Sequence, residues 1–286
     1  MAQKTAIWLA LGAGALYLLT RPGASVAATP PSSAPAAPRI VQDNAMSTTG
    51  LQIARGMSGA DFASAVRGLS DTQRDAAALL AAQAGATPAG VADWKPVPVS
   101  AGALSGTIYV APDFWGVGND ADWVRWPVMP ATAQRIAELY GAVLPTQKVA
   151  DAIQATADVK VRMAAAATNR DAVSTYVATN ARIVASIARR TGIVDGHKKN
   201  ILTADSSAPG RIVIYGALNP DTGRWPLQPY STVHSAGYRD YSHGVRLVRA
   251  TMDVAGRGVM DIRDVMQDRG LAPLVSGRAT DRGTRY

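Results

Sequence analysis

Between residues 94 and 250 the hydrophobic pattern changes period twice, and that order constrains the fold more than any single motif does. Residues 94–129 read as extended chain. In Trp94-Lys95-Pro96-Val97-Pro98-Val99 each proline and its predecessor avoid the helix. Thr107-Ile108-Tyr109-Val110 is a β-type run bounded by Pro112-Asp113. Gly116 to Asp120 is a turn, and Asp122-Trp123-Val124-Arg125-Trp126-Pro127 alternates like a half-buried strand. Residues 130–192 then carry helical spacing. Thr132 to Tyr140 stops at Gly141, Thr146 is the expected N-cap of the next helix, and Asp171 to Arg190 stops at Gly192. Residues 196–250 return to strand and loop. Arg211 to Gly216 is the clearest strand, Asn219-Pro220-Asp221-Thr222-Gly223 a turn, and Gly244 to Val248 a further strand. Strands, helices, then strands in one stretch predict an α+β fold with a single main domain and long loops.

The rest of the chain divides by composition. Residues 1–28 read as an export signal or a membrane anchor. Lys4 precedes a 14-residue apolar run from Ala6 to Leu19, and Ser25-Val26-Ala27 is an acceptable cleavage site. That run is short for a spanning helix and right for a secretory core. Residues 29–49 form a Pro/Ala/Ser linker, too poor in apolar surface to fold. Residues 50–93 form a small helical segment, with a capping box at Ser70-Asp71-Thr72-Gln73 and a glycine stop at Gly85. Residues 94–286 are the main domain. The expected location is outside the cytoplasm: periplasmic, or anchored and facing the periplasm.

Net charge is +8, which favours anionic partners such as nucleic acid, lipid or cell wall. The basic residues are scattered, and no zinc knuckle, homeodomain or RRM signature is present, so nucleic acid is not the expected partner. The expected partners are a cell-wall polymer or anionic envelope surface, and the membrane through the N-terminal segment. The chain has no cysteine, which excludes disulfides and Cys-ligated metals. Gly116-x-Gly118 lacks the third glycine of a dinucleotide fingerprint, and no P-loop or Gly-x-Ser-x-Gly elbow is present.

The three histidines, His197, His234 and His243, fall within 47 positions, in polar loop-like settings. Two kinds of chemistry fit. One is general acid–base catalysis by His234 or His243, oriented by Asp240, with a nearby cation stabilising an oxyanion. The other is a zinc ion held by two histidines and a carboxylate, with an open position for water. In either case His197, Lys198, Lys199, Arg246, Tyr241 and Ser231 are the expected substrate-binding residues. The run Ser231-x-x-His234-x-x-Gly237-x-x-Asp240 resembles the Ser-x-His-x-x-Gly-x-Ala-x-Asp motif of zinc D,D-peptidases. Two spacings are off by one, and no later His-x-His or Glu-x-x-His element follows.

Several islands in order carry a wider resemblance. They are Ile108 to Asp113, Asp122 to Arg125, Leu144-Pro145-Thr146-x-Lys148, Gly196 to Lys199, Ile214 to Gly216, Gln228-Pro229-x-Ser231-x-x-His234, and Tyr238-x-Asp240 through Leu247. With them, residues 107–276 resemble an uncharacterised family of bacterial exported proteins, and the short apolar head and basic body have the style of phage- or prophage-encoded envelope proteins. The resemblance implies a domain and no settled activity. The chain departs from the family pattern at Asn200, where an aspartate is usual, and at Ala217-Leu218, where Trp-His is frequent. Two functions follow as expectations: an exported or tethered hydrolase acting on cell-envelope material such as peptidoglycan, or a non-catalytic virion or envelope protein. Convergence of the three histidines on one cleft separates the two.

Overall fold

The computed structural model describes residues 46–48, 50–281 and 285–286. The expected signal or anchor at 1–28 and the linker up to residue 45 lie outside the described residues. Among the described residues no helix is long and apolar enough to cross a membrane.

The fold is α+β, as the change of periods predicts. Helix α1 (Gly59–Val66) is capped by Ser58, whose hydroxyl accepts from Asp61 N. Helix α2 (Asp71–Ala84) has the full Ser70/Gln73 capping box and ends on Gly85 in the left-handed region, where a side chain would be strained. The pair was expected as a separate small segment. Instead Phe62, Val66, Leu79 and Leu80 share one core with Trp115, Trp126 and Ile136. Phe62 meets Trp126 edge-on at 4.8 Å, and Trp126 meets Tyr176 at 5.4 Å. Burying three large rings together contributes about 0.5–1.5 kcal/mol per aromatic pair beyond the area term.

Three helices occupy the middle of the chain. Helix α3 (Pro130–Leu139) has no cap of its own; Asp75 of α2 supplies it, accepting from Met129 N at 2.6 Å. Helix α4 (Gln147–Thr156) starts at Thr146, whose hydroxyl accepts from Val149 N as the sequence predicts. Helix α5 (Val173–Ile187) follows a loop that carries Arg170, and the short α6 (Ile262–Gln267) comes near the end.

Two sheets frame the candidate site. A six-stranded antiparallel sheet is built on the hairpin Lys95–Ala101/Leu104–Val110. Its inner face buries Val97, Ile108 and Val110 with Val149 and Ile153 of α4 and Val265 of α6. A four-stranded sheet runs in the order Gln228–Ser231, Ile214–Gly216, Lys199–Ile201, His243–Gly244, and its last pairing is parallel. The strand expected at Gly244 to Val248 is two strands. His243–Gly244 belongs to the four-stranded sheet and Val248–Arg249 to the six-stranded one. The chain crosses between sheets at Val245-Arg246-Leu247, all buried. The expected strand at Arg211 is also shorter, running Ile214–Gly216, with Arg211 making only an isolated bridge to Ser235.

Candidate functional site

The parallel edge of the four-stranded sheet sets His243 beside Lys199 and Gly244 beside Asn200. Gly244 has no room for a side chain: a Cβ there would lie 2.5 Å from Phe114 Cδ1 and 2.8 Å from Lys198 Cβ. The glycine lets Phe114 pack against the strand pair, and two buried Asp–His pairs form around it.

The first pair is Asp240 and His243. Asp240 is anchored from several directions. Its Oδ1 accepts from Ser242 N at 2.8 Å and Ser242 Oγ at 2.5 Å. Its Oδ2 accepts from Arg170 Nε at 3.0 Å, Arg170 Nη2 at 2.7 Å and the Tyr238 hydroxyl at 2.9 Å. Burial pushes this carboxyl up, but His243, Ser242 and Arg170 outweigh it and hold it well below the usual carboxylate range. His243 Nε2 stands 3.9 Å from Asp240 Oδ1, too far for a hydrogen bond. Both ring nitrogens of His243 are buried and have no hydrogen-bond partner. Burial pushes the imidazole down to about 4 against the pull of Asp240, with Lys199 and Lys198 adding to the fall, so it is neutral at pH 7. Outside it stand two rings. Tyr238 meets His243 edge-on at 5.6 Å, and exposed His234 stacks on Tyr238 at 4.2 Å.

The second pair is Asp113 and His197. Asp113 Oδ1 accepts from Arg125 Nε at 3.0 Å and contacts His197 Nε2 at 3.1 Å, while Oδ2 accepts from Arg125 Nη2. Burial pushes the Asp113 carboxyl up, and Arg125 and His197 more than reverse it. His197 is pushed down to about 4 by burial, with Asp113 opposing. A third buried pair ties the site to the six-stranded sheet. Arg246 donates to Asp195 Oδ1 at 2.9 Å, Val194 O at 2.7 Å and Ala111 O at 3.0 Å, and its guanidinium lies 4.1 Å from the Phe114 ring centroid. Lys198 lies within the electrostatic reach of both Asp113 and Asp240 and donates to Tyr241 O. Burial pushes its amine down to about 7.

Several sequence-predicted roles change in this light. Lys198 and Arg246 were expected to touch substrate, yet 1% and 0% of each is exposed, and both are committed to backbone carbonyls. Tyr241 is buried too, its hydroxyl accepting from Ala166 N at 2.8 Å while Arg170 covers its ring. His197 is sealed against Asp113. Ser231 pairs with Ile214 in the neighbouring strand, and its hydroxyl accepts from Val233 N. His234, expected as catalytic, is the outer ring of a stack. Among the expected residues, His243, Asp240, Lys199 and the rim residue His234 come together. The three histidines do not share one cleft; two meet around Tyr238 and the third belongs to Asp113.

Sequence reasoning missed Arg170, Asp113 and Arg125. Arg170 sits in an unpatterned loop with no local signal. Asp113 and Arg125 are 12 residues apart, and only tertiary structure pairs them. For zinc, no three His, Asp or Glu side chains among the described residues are grouped so as to hold a metal ion. What marks the region is a concentration of buried polar atoms without partners: both nitrogens of His243, Nδ1 of His197, both amide atoms of Asn200, Oδ2 of Asp195 and Nε of Arg246. Native interiors keep few such atoms, and a cluster of them calls for an explanation. No protein-family model, curated protein or solved structure matches this chain.

Proposed function

We propose that the protein is a hydrolase acting by general acid–base catalysis on an anionic cell-envelope polymer, with His243 as its reacting base. The observation that carries this reading is the buried imidazole of His243, with both ring nitrogens unpaired beside a carboxylate fixed by Ser242, Arg170 and Tyr238. An unpaired buried polar group costs about 1–3 kcal/mol, and a reactive role accounts for keeping it. In the proposed step His243 takes a proton from water while the water oxygen bonds to an electrophilic carbon of the substrate. The imidazolium, stabilised by Asp240, then returns that proton to the leaving group as its bond breaks. Lys199, half-buried across the strand pair, offsets negative charge developing on the substrate. His243 is 1% exposed, with Tyr238 edge-on to it and His234 stacked on Tyr238, so in this reading substrate enters as Tyr238 and its stacked partner move aside. The net charge of +8 draws an acidic polymer to the surface.

The test is release of soluble fragments from purified sacculi by the full chain, with and without a chelator. Release that a chelator leaves unchanged, and that Asp240→Asn reduces by about 10²-fold or more, is expected. No release by folded wild-type protein overturns the reading, and chelator-sensitive release replaces it with a metal mechanism. Two observations favour a second reading, a non-catalytic envelope or virion protein: the three histidines do not share one cleft, and His197 and His243 are each 1% exposed. That reading predicts tight binding to sacculi with no fragment released.

A further inference from the structure

Helix α5 is apolar on both sides. Its inner side buries Val173, Tyr176, Thr179, Asn180 and Ile183. The side turned to solvent is ordinarily polar in such a helix. Here it carries Val177 and Val184, 38% and 48% exposed, which are two of the four exposed large hydrophobics among the described residues. At about 100° per residue these two valines share one edge of the outer side. Arg182 and Arg189, both exposed and likewise two turns apart, share the other edge. Arg190 follows at the helix end, also exposed.

The charge on this side has one sign. No aspartate or glutamate lies between Ala172 and Val194. Arg182 donates to Ala165 O at 2.9 Å, and Arg190 donates to Ile187 O at 3.0 Å and to Ser186 O. Those acceptors are neutral carbonyls, and none of the three guanidiniums forms an ion pair with a described residue. The occupant that fits is therefore anionic and offers an apolar layer beside its charges. A second copy of α5 would set arginine edges against each other. Its 15 residues also present a strip only about 22 Å by 10 Å, well short of the roughly 800 Å² per partner of a stable interface. A dissolved polyanion would meet the arginines and leave the valines in water. An anionic bilayer satisfies both edges, with headgroups at the guanidiniums and the acyl boundary at the valines.

We propose that the outer side of α5 docks on an anionic lipid bilayer, with Val177 and Val184 at the acyl boundary and Arg182, Arg189 and Arg190 among the headgroup phosphates. The surface is independent of the chemistry proposed for His243. Each cation near such a surface tightens binding about fivefold, so docking is reversible and weakens with salt. The chain has no cysteine, so Ala181→Cys, exposed on the outer side, takes a single nitrobenzoxadiazole label, and Ala255→Cys in an exposed turn of the six-stranded sheet is the control. The labelled full chain is titrated with vesicles of phosphatidylglycerol and phosphatidylcholine in equal parts, with phosphatidylcholine vesicles, and with soluble polyphosphate. The expected result is a saturable blue shift at Ala181→Cys with the anionic vesicles alone, and none at Ala255→Cys. Arg182→Glu with Arg189→Glu should weaken it at least about 20-fold, and Val184→Asp several-fold, with thermal midpoints close to wild type. No shift with anionic vesicles, an equal shift with phosphatidylcholine, polyphosphate or the control label, or a titration unchanged by the arginine pair overturns it. Sacculus hydrolysis is read without lipid, so failure of the docking surface and failure of the His243 reading give different patterns.

Discussion

Two Asp–His pairs lie within the same buried layer, and they are built differently. Asp113 and His197 touch at 3.1 Å, and Arg125, itself 3% exposed, locks the carboxylate. Asp240 and His243 stand at 3.9 Å, neither imidazole nitrogen is bonded, and the locking arginine, Arg170, is 40% exposed. Both histidines are buried and both are pushed down to about 4, so burial and charge do not separate them. Hydrogen bonding does. His197 keeps one bonded nitrogen, with Nδ1 unpaired, whereas His243 has neither bonded beside its anchored carboxylate; under the proposed function it is the latter imidazole that takes the proton.

The comparison is broken most severely by removing the arginines. Arg125→Met leaves Asp113 charged and largely buried with only His197 and the Phe114 N–H as partners, and a loss of about 3–5 kcal/mol is expected from urea unfolding. Arg170→Met removes a partner that is 40% exposed, and Tyr238 and Ser242 still serve Asp240, so a loss nearer about 1 kcal/mol is expected. Equal losses would mean that the two pairs are energetically alike.

Acid is the next lever. Each imidazole takes its proton near 6.5 in the unfolded chain and near 4 in the native state. Over that window the unfolded chain binds more protons, so stability falls as pH drops from about 6.5 to about 4, by on the order of 3 kcal/mol per histidine. Unfolding free energies measured between pH 7 and 4 should show this slope, and it should shallow in either His197→Gln or His243→Gln. Lys198 acts at the other end. Its native amine loses its proton near 7 and the unfolded one near 10.5, so stability rises over that range. Lys198→Met should abolish the rise and be the more stable protein at pH 6.

Apolar replacement sharpens the contrast in sign. His197→Leu breaks the bond to Asp113 and should cost about 1–3 kcal/mol at pH 7. His243→Leu removes two unpaired polar atoms and should be neutral or stabilising by about 1 kcal/mol while ending activity. The smallest effect belongs to His234→Ala, where an exposed ring leaves a stack. Its stability should shift within about 0.5 kcal/mol, and the loss should appear in KM rather than kcat.

Much of this architecture could be read from the sequence because it rests on local rules. The α+β class followed from the change of period, and Ser70, Gly85 and Thr146 marked their helix ends through chemistry that reaches only three or four residues. The site was legible in part. The stretch Asp240 to His243 drew notice through its titratable density, and Lys199 through its neighbours. The contrast between the two pairs was not legible, because the separation of His197 from His243 depends on Asp113 and Arg125 arriving from the other end of the domain. Arg246 misled for a related reason. A charged residue in a motif-like run suggests substrate, whereas here it crosses between two sheets and caps buried carbonyls. The unity of residues 50–93 with the main core was equally invisible, since Phe62 finds Trp126 only in three dimensions.

The most direct test of the difference between the two pairs is sacculus hydrolysis by His243→Gln and His197→Gln, side by side at equal folded fraction. The account predicts a loss of about 10²–10⁴-fold in the first and less than tenfold in the second. Equal losses, or the larger loss in His197→Gln, would contradict it.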